Sequence, residues 1–472
     1  MMHMKLTHDY LQLPGLFYSE LQPVPVQNPK MLVYNDALAE ELGLSDDKDA
    51  QLLYFSGNAV PKEARPLAQA YSGHQFGYYT RLGDGRAVLI GEIEKDGALY
   101  DLQLKGAGRT PYSRGGDGRA AVAPMLREYL LSEAMHALGI PTTRSLAVVK
   151  TGETVLRQIP QEGAVLTRVA KSHLRVGTFQ YAQEKGGNEA VRTLADYAIR
   201  RHKIPAGDNP LLSLFQYVAD KQAELIAAWM RIGFIHGVMN TDNVSIAGET
   251  IDYGPCAFMD TYDENTVFSS IDRQGRYAYK NQPRIGQWNL ARFAEALLGT
   301  QDEAEAQLPA YEKILTQYEK RYKEAYYTGM AAKIGIADPD ASDRKRVDDL
   351  LAAMKKSGAD YTNTFVALTR GETCTATQLS EWTEDWKKRL TAIGETKEAV
   401  FARMRANNPV VIPRNYAVEL ALAAAEKGDM APFHKLLAQL TDPFCYDQPT
   451  DPLYTMPMPA QERQRYQTYC GT

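Results

Sequence analysis

The stretch from His236 to Gly254 constrains this chain most. His236-Gly237-Val238-Met239-Asn240-Thr241-Asp242-Asn243 leads into a short apolar run, Val244-Ser245-Ile246, a turn at Gly248, a second run at Thr250-Ile251, and then Asp252-Tyr253-Gly254. Asn243 and Asp252 stand 252 − 243 = 9 residues apart. A two-stranded hairpin between them would bring both ends together, so that an amide oxygen and a carboxylate could share a hard divalent cation, Mg²⁺ or Mn²⁺, with polyphosphate oxygens. Taken alone, the same stretch also reads as a turn with capping polar groups.

Upstream residues favour the first reading. Arg86 to Glu94 and Ala98 to Lys105 read as strands joined by the Lys95-Asp96-Gly97 turn. In the second, Tyr100, Leu102 and Leu104 alternate with Asp101, Gln103 and Lys105, which turns Lys105 towards a polar side. Ala120 to Leu138 then reads as a helix with Pro124 near its start, Gly139 as its stop and Glu128 in its middle. A strand lysine, a glutamate on the next helix and a later Asn/Asp pair form the layout of a protein-kinase core, in which the ion pair orients the lysine towards nucleotide phosphates. The fold expected is α+β and protein-kinase-like: a bilobal core with an N-lobe over 71–160 and a C-lobe over 161–330, an irregular lead-in over 1–70, and a C-terminal helical extension over 331–472. Further expectations are strands at Ser145 to Val149, Thr154 to Gln158 and Ala164 to Val169, a helix started by Ser172, and a long helix from about Leu211 to Arg231 ending at Gly233.

Where the kinase pattern places its catalytic aspartate, two residues after His236, this chain has Val238. Asp242, immediately before Asn243, is the carboxylate left to accept a hydroxyl proton. Glycines and arginines accumulate upstream and at the connecting strand: Gly83, Gly85, Arg86, Arg109, Arg114, Asp117, Gly118, Arg119, Arg168 and Arg175. Triphosphate needs such bidentate cations and close backbone approach.

The 472 residues carry a formal net charge of −5 with 44% hydrophobic and 24% charged residues, ordinary for a folded soluble chain. A net negative charge argues against a broad nucleic-acid-binding face. The start, Met1-Met2-His3-Met4-Lys5, has no secretory pattern and no run is apolar enough to span a membrane, so a cytoplasmic location without membrane partners is expected. The four cysteines, Cys256, Cys374, Cys445 and Cys470, form neither a disulfide framework nor a zinc motif.

The runs Tyr71-Ser72-Gly73-His74-Gln75-Phe76-Gly77, Gln103 through Arg114 (QLKGAGRTPYSR), Gly116-Asp117-Gly118-Arg119-Ala120, His236 through Asn243, Asp252-Tyr253-Gly254-Pro255 and Asn281-Gln282-Pro283 resemble the selenoprotein O (YdiU-like) family over nearly the whole chain. The resemblance implies a kinase-like fold holding ATP flipped, so that the α-phosphate meets a Ser, Thr or Tyr hydroxyl of a protein substrate and pyrophosphate leaves. It further implies that Lys105, paired with Glu128, holds phosphates together with Arg168 and Arg175. Gly83, Gly85, Arg86, Asp117 and Gly118 would line the nucleotide site, Asn243 and Asp252 would bind the metal, and Asp242 would be the base. Many members carry selenocysteine where this chain has Cys470; a redox role with a disulfide to Cys256 stands here beside the reading of a free surface thiol. Two rivals stand beside this reading: a γ-phosphate kinase of a small molecule or protein, against which Val238 speaks, and a non-catalytic pseudokinase, against which the retained Lys105, Glu128, Asn243 and Asp252 speak.

Overall fold

The computed structural model describes residues 5–44, 46–299, 301–372, 377–463, 466 and 468. The chain is mixed α and β, organised around an antiparallel sheet whose nine strands are β1 (Leu6–Thr7), β2 (Tyr18–Glu20), β3 (Lys30–Tyr34), β4 (Leu67–Gln69) and, beyond a separate hairpin β5 (Ser72–Gln75) and β6 (Tyr78–Arg81), β7 (Ala87–Lys95), β8 (Ala98–Lys105), β9 (Ala120–Ala121), β10 (Arg144–Leu156) and β11 (Pro160–Ala170). The order is β2-β4-β7-β8-β11-β10-β3, with β1 paired to β7 and β9 to β11. The stretch expected to be an irregular lead-in thus contributes β1 to β4 to this sheet, along with helices α1 (Asp36–Glu41) and α2 (Lys48–Ser56). Its prolines fall outside these strands, where no ladder N–H is needed.

The alternation on β8 decides what the sheet offers on each face. Leu102 and Leu104 join Val88, Leu146, Val165, Val169 and Phe55 in one apolar cluster. Asp101, Gln103 and Lys105 point the other way and are buried too, so each needs a polar partner. Helix α3 (Val122–Ala137) packs on β10 and β11, and its Met125, Leu126, Tyr129 and Leu130 share a cluster with Val148, Ala164 and Leu166. The same cluster takes in Val418, Leu422, Phe433 and Leu436 from late in the chain, so the tail clamps the helix that carries Glu128.

Two helical stretches follow, α4 (Val176–Arg201), which is broken by a kink at Gly187 (φ 61°), and α5 (Pro210–Arg231). The Asn209 side chain caps α5 by accepting from Leu212 N–H, Pro210 occupies its first turn, and Gly233 (φ 71°) turns the chain out of it. Leu214, Val218, Leu225, Ile226 and Trp229 are all buried along its inner face. Short strands β12 (Phe234–Ile235) and β13 (Ala257–Phe258) pair on either side of the His236–Cys256 loop. The rest is mainly helical, from α6 (Gln282–Leu297) and α7 (Gln301–Lys333) onward. No helix of the described residues is long and apolar enough to cross a membrane.

Three local expectations are corrected. Arg144 to Leu156 is one strand: Lys150 opposes Ala164 and Thr154 opposes Glu162, so both arms pair with β11 and Gly152 (φ 74°) absorbs a bulge instead of a reversal. Helix α4 begins at Val176 with Arg175 in the capping position, while Ser172 contacts His202 Nε2 at 2.9 Å. There is no hairpin between Asn243 and Asp252. Val244 O and the Ile246 N–H bond instead to Val176 and Leu174, and the Thr250 N–H and C=O bond to Pro141 and Thr143. The two arms find better partners elsewhere, but Gly248 still turns the chain, with its N–H on Ser245 O.

Candidate active site

Strand β8, helix α3, strand β11, the start of α4 and the His236–Cys256 loop converge on one cavity of about 570 Å³. At its floor lies Asp252, held at φ 60°. Lys105 Nζ reaches Glu128 Oε2 at 2.6 Å and Asp252 Oδ1 at 2.9 Å. Arg168 Nη1 reaches Asp252 Oδ1 at 2.6 Å and Glu128 Oε1 at 3.4 Å, and Arg175 Nη1 reaches Asp252 Oδ2 at 3.0 Å. The lysine–glutamate pair expected from sequence is therefore formed, and two arginines extend it. Burial alone would push the Asp252 carboxyl up, but Lys105, Arg168 and Arg175 outweigh it and hold the group well below the usual carboxylate range.

Asp242 sits on a single 3-10 turn, Thr241–Asn243, pinned from several sides. Arg175 Nη1 donates to its carbonyl at 3.0 Å, and Thr241 Oγ1 bonds to Gln180 Oε1 and to the His74 N–H, both at 2.7 Å. Burial pushes the Asp242 carboxyl up to about 6, against the pull of Arg175. Its Oδ1 is buried against Gly73 without a close hydrogen-bond partner, while the Gln75 side chain helps to hold the carboxylate in its charged form. Gly73 makes this approach feasible, since a Cβ there would overlap Asp242 Oδ1 at 2.2 Å.

Every nucleotide-site residue expected from sequence lines this cavity: Gly83, Gly85, Arg86, Lys105, Asp117, Gly118, Glu128, Arg168 and Arg175, as do Asp242, Asn243 and Asp252. Gly118 (φ 68°) is needed sterically, because a Cβ would lie 2.1 Å from Gly108 O. Asp117 organises the rim: it accepts from Arg157 Nη1 at 2.8 Å and from the Arg119 N–H at 2.9 Å. Arg114 and Arg119 also line the cavity, whereas Arg109 turns away, with Nε on Gly116 O at 2.7 Å.

Sequence reasoning missed a polar relay beneath these groups. Gln103 Nε2 donates to Asp84 Oδ2 at 3.0 Å, and Gln103 Oε1 accepts from Arg168 Nε at 3.2 Å and from its Nη2. Asp84 also accepts from the Gln69 N–H at 3.2 Å, and burial pushes its carboxyl to about 6 against Arg175 and Arg168. The signal was available, since Gln103 shares the β8 face with Lys105. Tyr71 was missed as well; it lies under Arg175, 4.5 Å from guanidinium to ring centroid.

For a divalent cation, the protein offers few ligands. Among the described residues no cluster of three or more His, Cys, Asp or Glu side chains could hold a metal. Asn243 spends its Nδ2 on Val238 O at 2.9 Å, which leaves its amide oxygen as the acceptor facing outward from that bond. That oxygen and the ionised Asp252 fit a hard ion that keeps water and takes its other oxygens from substrate phosphates. Of the two cysteines expected as a redox pair, Cys256 is fully buried at the end of the loop and Cys470 lies outside the described residues.

The family model described as "Protein adenylyltransferase SelO" matches residues 1–441. Proteins named "Protein nucleotidyltransferase YdiU" are similar over almost their full length. That of Geobacillus kaustophilus is 54% identical over 481 residues, covering 99% of this chain and 99% of its own. That of Brevibacillus brevis is 54% identical over 98% of this chain and 97% of its own, and that of Clostridium botulinum 50% identical over 100% and 98%. With a cavity built from the motifs that carry the resemblance and matches of this extent, the chain belongs to the SelO family of protein adenylyltransferases.

Proposed function

We propose that this chain transfers AMP from ATP to Ser, Thr or Tyr hydroxyls of proteins. The hydroxyl oxygen attacks the α-phosphorus, its proton passes to Asp242, and the bond to the bridging oxygen breaks to release pyrophosphate. A carboxyl with a pKa of about 6 is ionised at neutral pH yet basic enough to take that proton. Lys105, Arg168 and Arg175 supply the charge that the phosphates and the leaving pyrophosphate require, and Glu128 and Gln103 keep two of them in place. Asn243 and Asp252 would hold Mg²⁺ or Mn²⁺, which when bound neutralises phosphate charge.

The observation that carries this reading is the convergence of three cations on Asp252 in the cavity that Asp242 also lines, with Val238 where a kinase has its aspartate. The architecture fits a protein-kinase-like bilobal fold with the cavity between halves. In that reading the first half extends through β11, because β11 is hydrogen-bonded to β8 and β10, and the late helices act as the extension. We place the activity in the cytoplasm. A disulfide between Cys470 and Cys256 would tether the tail across the loop: Thr468 Oγ1 already donates to Pro255 O at 2.6 Å. Intact mass after alkylation, with and without reductant, would count against it if four modified thiols were found in both.

The test of the reaction is product identity. After incubation with ATP and Mg²⁺ or Mn²⁺, modified proteins should gain the mass of an AMP moiety with pyrophosphate in solution. Gain of a phosphoryl group with ADP in solution would replace this reading with a kinase.

A further inference from the structure

Between Asp272 and Glu295 the chain has five cations, Arg273, Arg276, Lys280, Arg284 and Arg292, and no Asp or Glu, in a protein of net charge −5. This stretch is fastened to the loop that carries Asp242. Tyr277 donates its hydroxyl to Asn240 Oδ1 at 2.6 Å, Asn289 Nδ2 donates to Met239 O at 3.0 Å, and Gln282 Oε1 accepts from the His236 N–H at 2.9 Å. Two of its arginines stack on Trp288, Arg276 at 4.6 Å and Arg292 at 5.3 Å from the ring centroid. His74 meets the same ring edge-on at 5.5 Å, and its neighbour Gln75 lines the cavity. The stacked arginines therefore form a shelf against the mouth of the site.

Only part of the charge on this shelf is spent internally. Arg292 pairs with Glu295 at 2.5 Å. Arg276 has no carboxylate in ion-pair contact among the described residues, and its Nε and Nη2 are covered by protein without a hydrogen-bond partner, although the residue as a whole is partly exposed. Asp272, its nearest acid in sequence, is turned onto backbone, accepting from the Arg276 and Tyr277 N–H groups at 2.9 and 2.8 Å. A guanidinium held over an indole, partly exposed and with no carboxylate partner of its own among the described residues, is suited to an external carboxylate. The nucleotide is not that anion, since its phosphates meet Lys105, Arg168 and Arg175 inside the cavity and neither Arg276 nor Arg292 lines it.

We propose that this shelf docks the acceptor protein through acidic side chains flanking the hydroxyl to be modified. The inference rests on the AMP-transfer reading and adds the class of acceptor. A short acidic segment suits it better than nucleic acid, because the shelf is local and the protein as a whole is negative.

The test maps the sites modified by the full-length protein in a mixed protein extract with α-labelled ATP. Asp and Glu should be over-represented beside the labelled hydroxyls, relative to unlabelled hydroxyls of the same proteins. Arg276→Glu should lower labelling of those sites about tenfold or more, as loss of a charge-assisted contact does, while ATP binding stays unchanged. If Arg276→Glu fails to bind ATP, Arg276→Ala gives the same comparison with less disturbance. Flanks with no acidic excess, or a variant that labels the same sites at the same rate, would overturn the docking inference and leave transfer intact. No α-label from the wild type on any protein would overturn the transfer reading, and the inference with it.

Discussion

Substituting Gln103 by leucine should disable the site without touching any residue that meets the nucleotide. Gln103 is fully buried and sits between two buried charged groups, donating to Asp84 and accepting from Arg168 through two nitrogens. Leucine fills a similar volume but offers no polar atom. Arg168 would keep Asp252 and Glu128, and Asp84 would keep the Gln69 N–H, so each loses part of its set. An unmet buried polar group costs about 1–3 kcal/mol, so two of them should destabilise the fold by roughly 2–6 kcal/mol. The guanidinium, no longer fixed in its plane, should also lose about 1.5–3 kcal/mol of charged hydrogen bonding, or roughly 10- to 100-fold in kcat/KM for ATP. Denaturant unfolding gives the first quantity and initial rates of AMP transfer the second, at a temperature where the variant is folded. Gln103→Glu separates positioning from damage. It restores the acceptor for Arg168 but sets a carboxylate against Asp84, so activity relative to the wild type at the same pH should rise as the pH falls and the two acids share a proton. Wild-type kcat/KM for folded Gln103→Leu would refute the relay.

Three further expectations follow from the same geometry. Transfer should fall off below about pH 6 as Asp242 takes up a proton, and Asp242→Asn should be about 100-fold slower or worse across the whole range; a rate that holds down to pH 4.5 would exclude Asp242 as base. Burial raises the Glu249 carboxyl to about 7, so the folded state binds a proton more readily than the unfolded one. Its stability is then fullest below the ordinary glutamate pKa and is lost as pH rises through 7; Glu249→Gln should flatten the melting temperature against pH, and an unchanged slope would count against it. Gly118→Ala should weaken ATP binding at least tenfold, because the loop must move to relieve a Cβ 2.1 Å from Gly108 O; calorimetry showing unchanged affinity would mean the loop does not touch the nucleotide.

The sequence made the site more legible than the path of the chain through it. Period-two alternation assigned Lys105 to a polar face, and β8 carries it there. The glycine- and arginine-rich runs read as phosphate-directed line the cavity, apart from Arg109. What failed were pairings decided by competition between distant segments. Val244 to Ile246 and Thr250 looked like two arms of a hairpin, yet their backbone groups are taken by Leu174–Val176 and Pro141–Thr143. The strands before Ala70 were hidden because they are only two to five residues long, too short for a period to declare itself. Asp84 and Gln103 went unread because their importance lies in what they hold, which appears only when β8, β11 and the Gly83–Gly85 turn are brought together.

The most direct test of the central claim is transfer of label to protein from ATP labelled at the α-phosphate, run beside ATP labelled at the γ-phosphate, with Asp252→Ala as control. Label from the α position only, abolished by the substitution, is the expected result. Label from the γ position would contradict nucleotidyl transfer, and α-label that survives in Asp252→Ala would contradict the site.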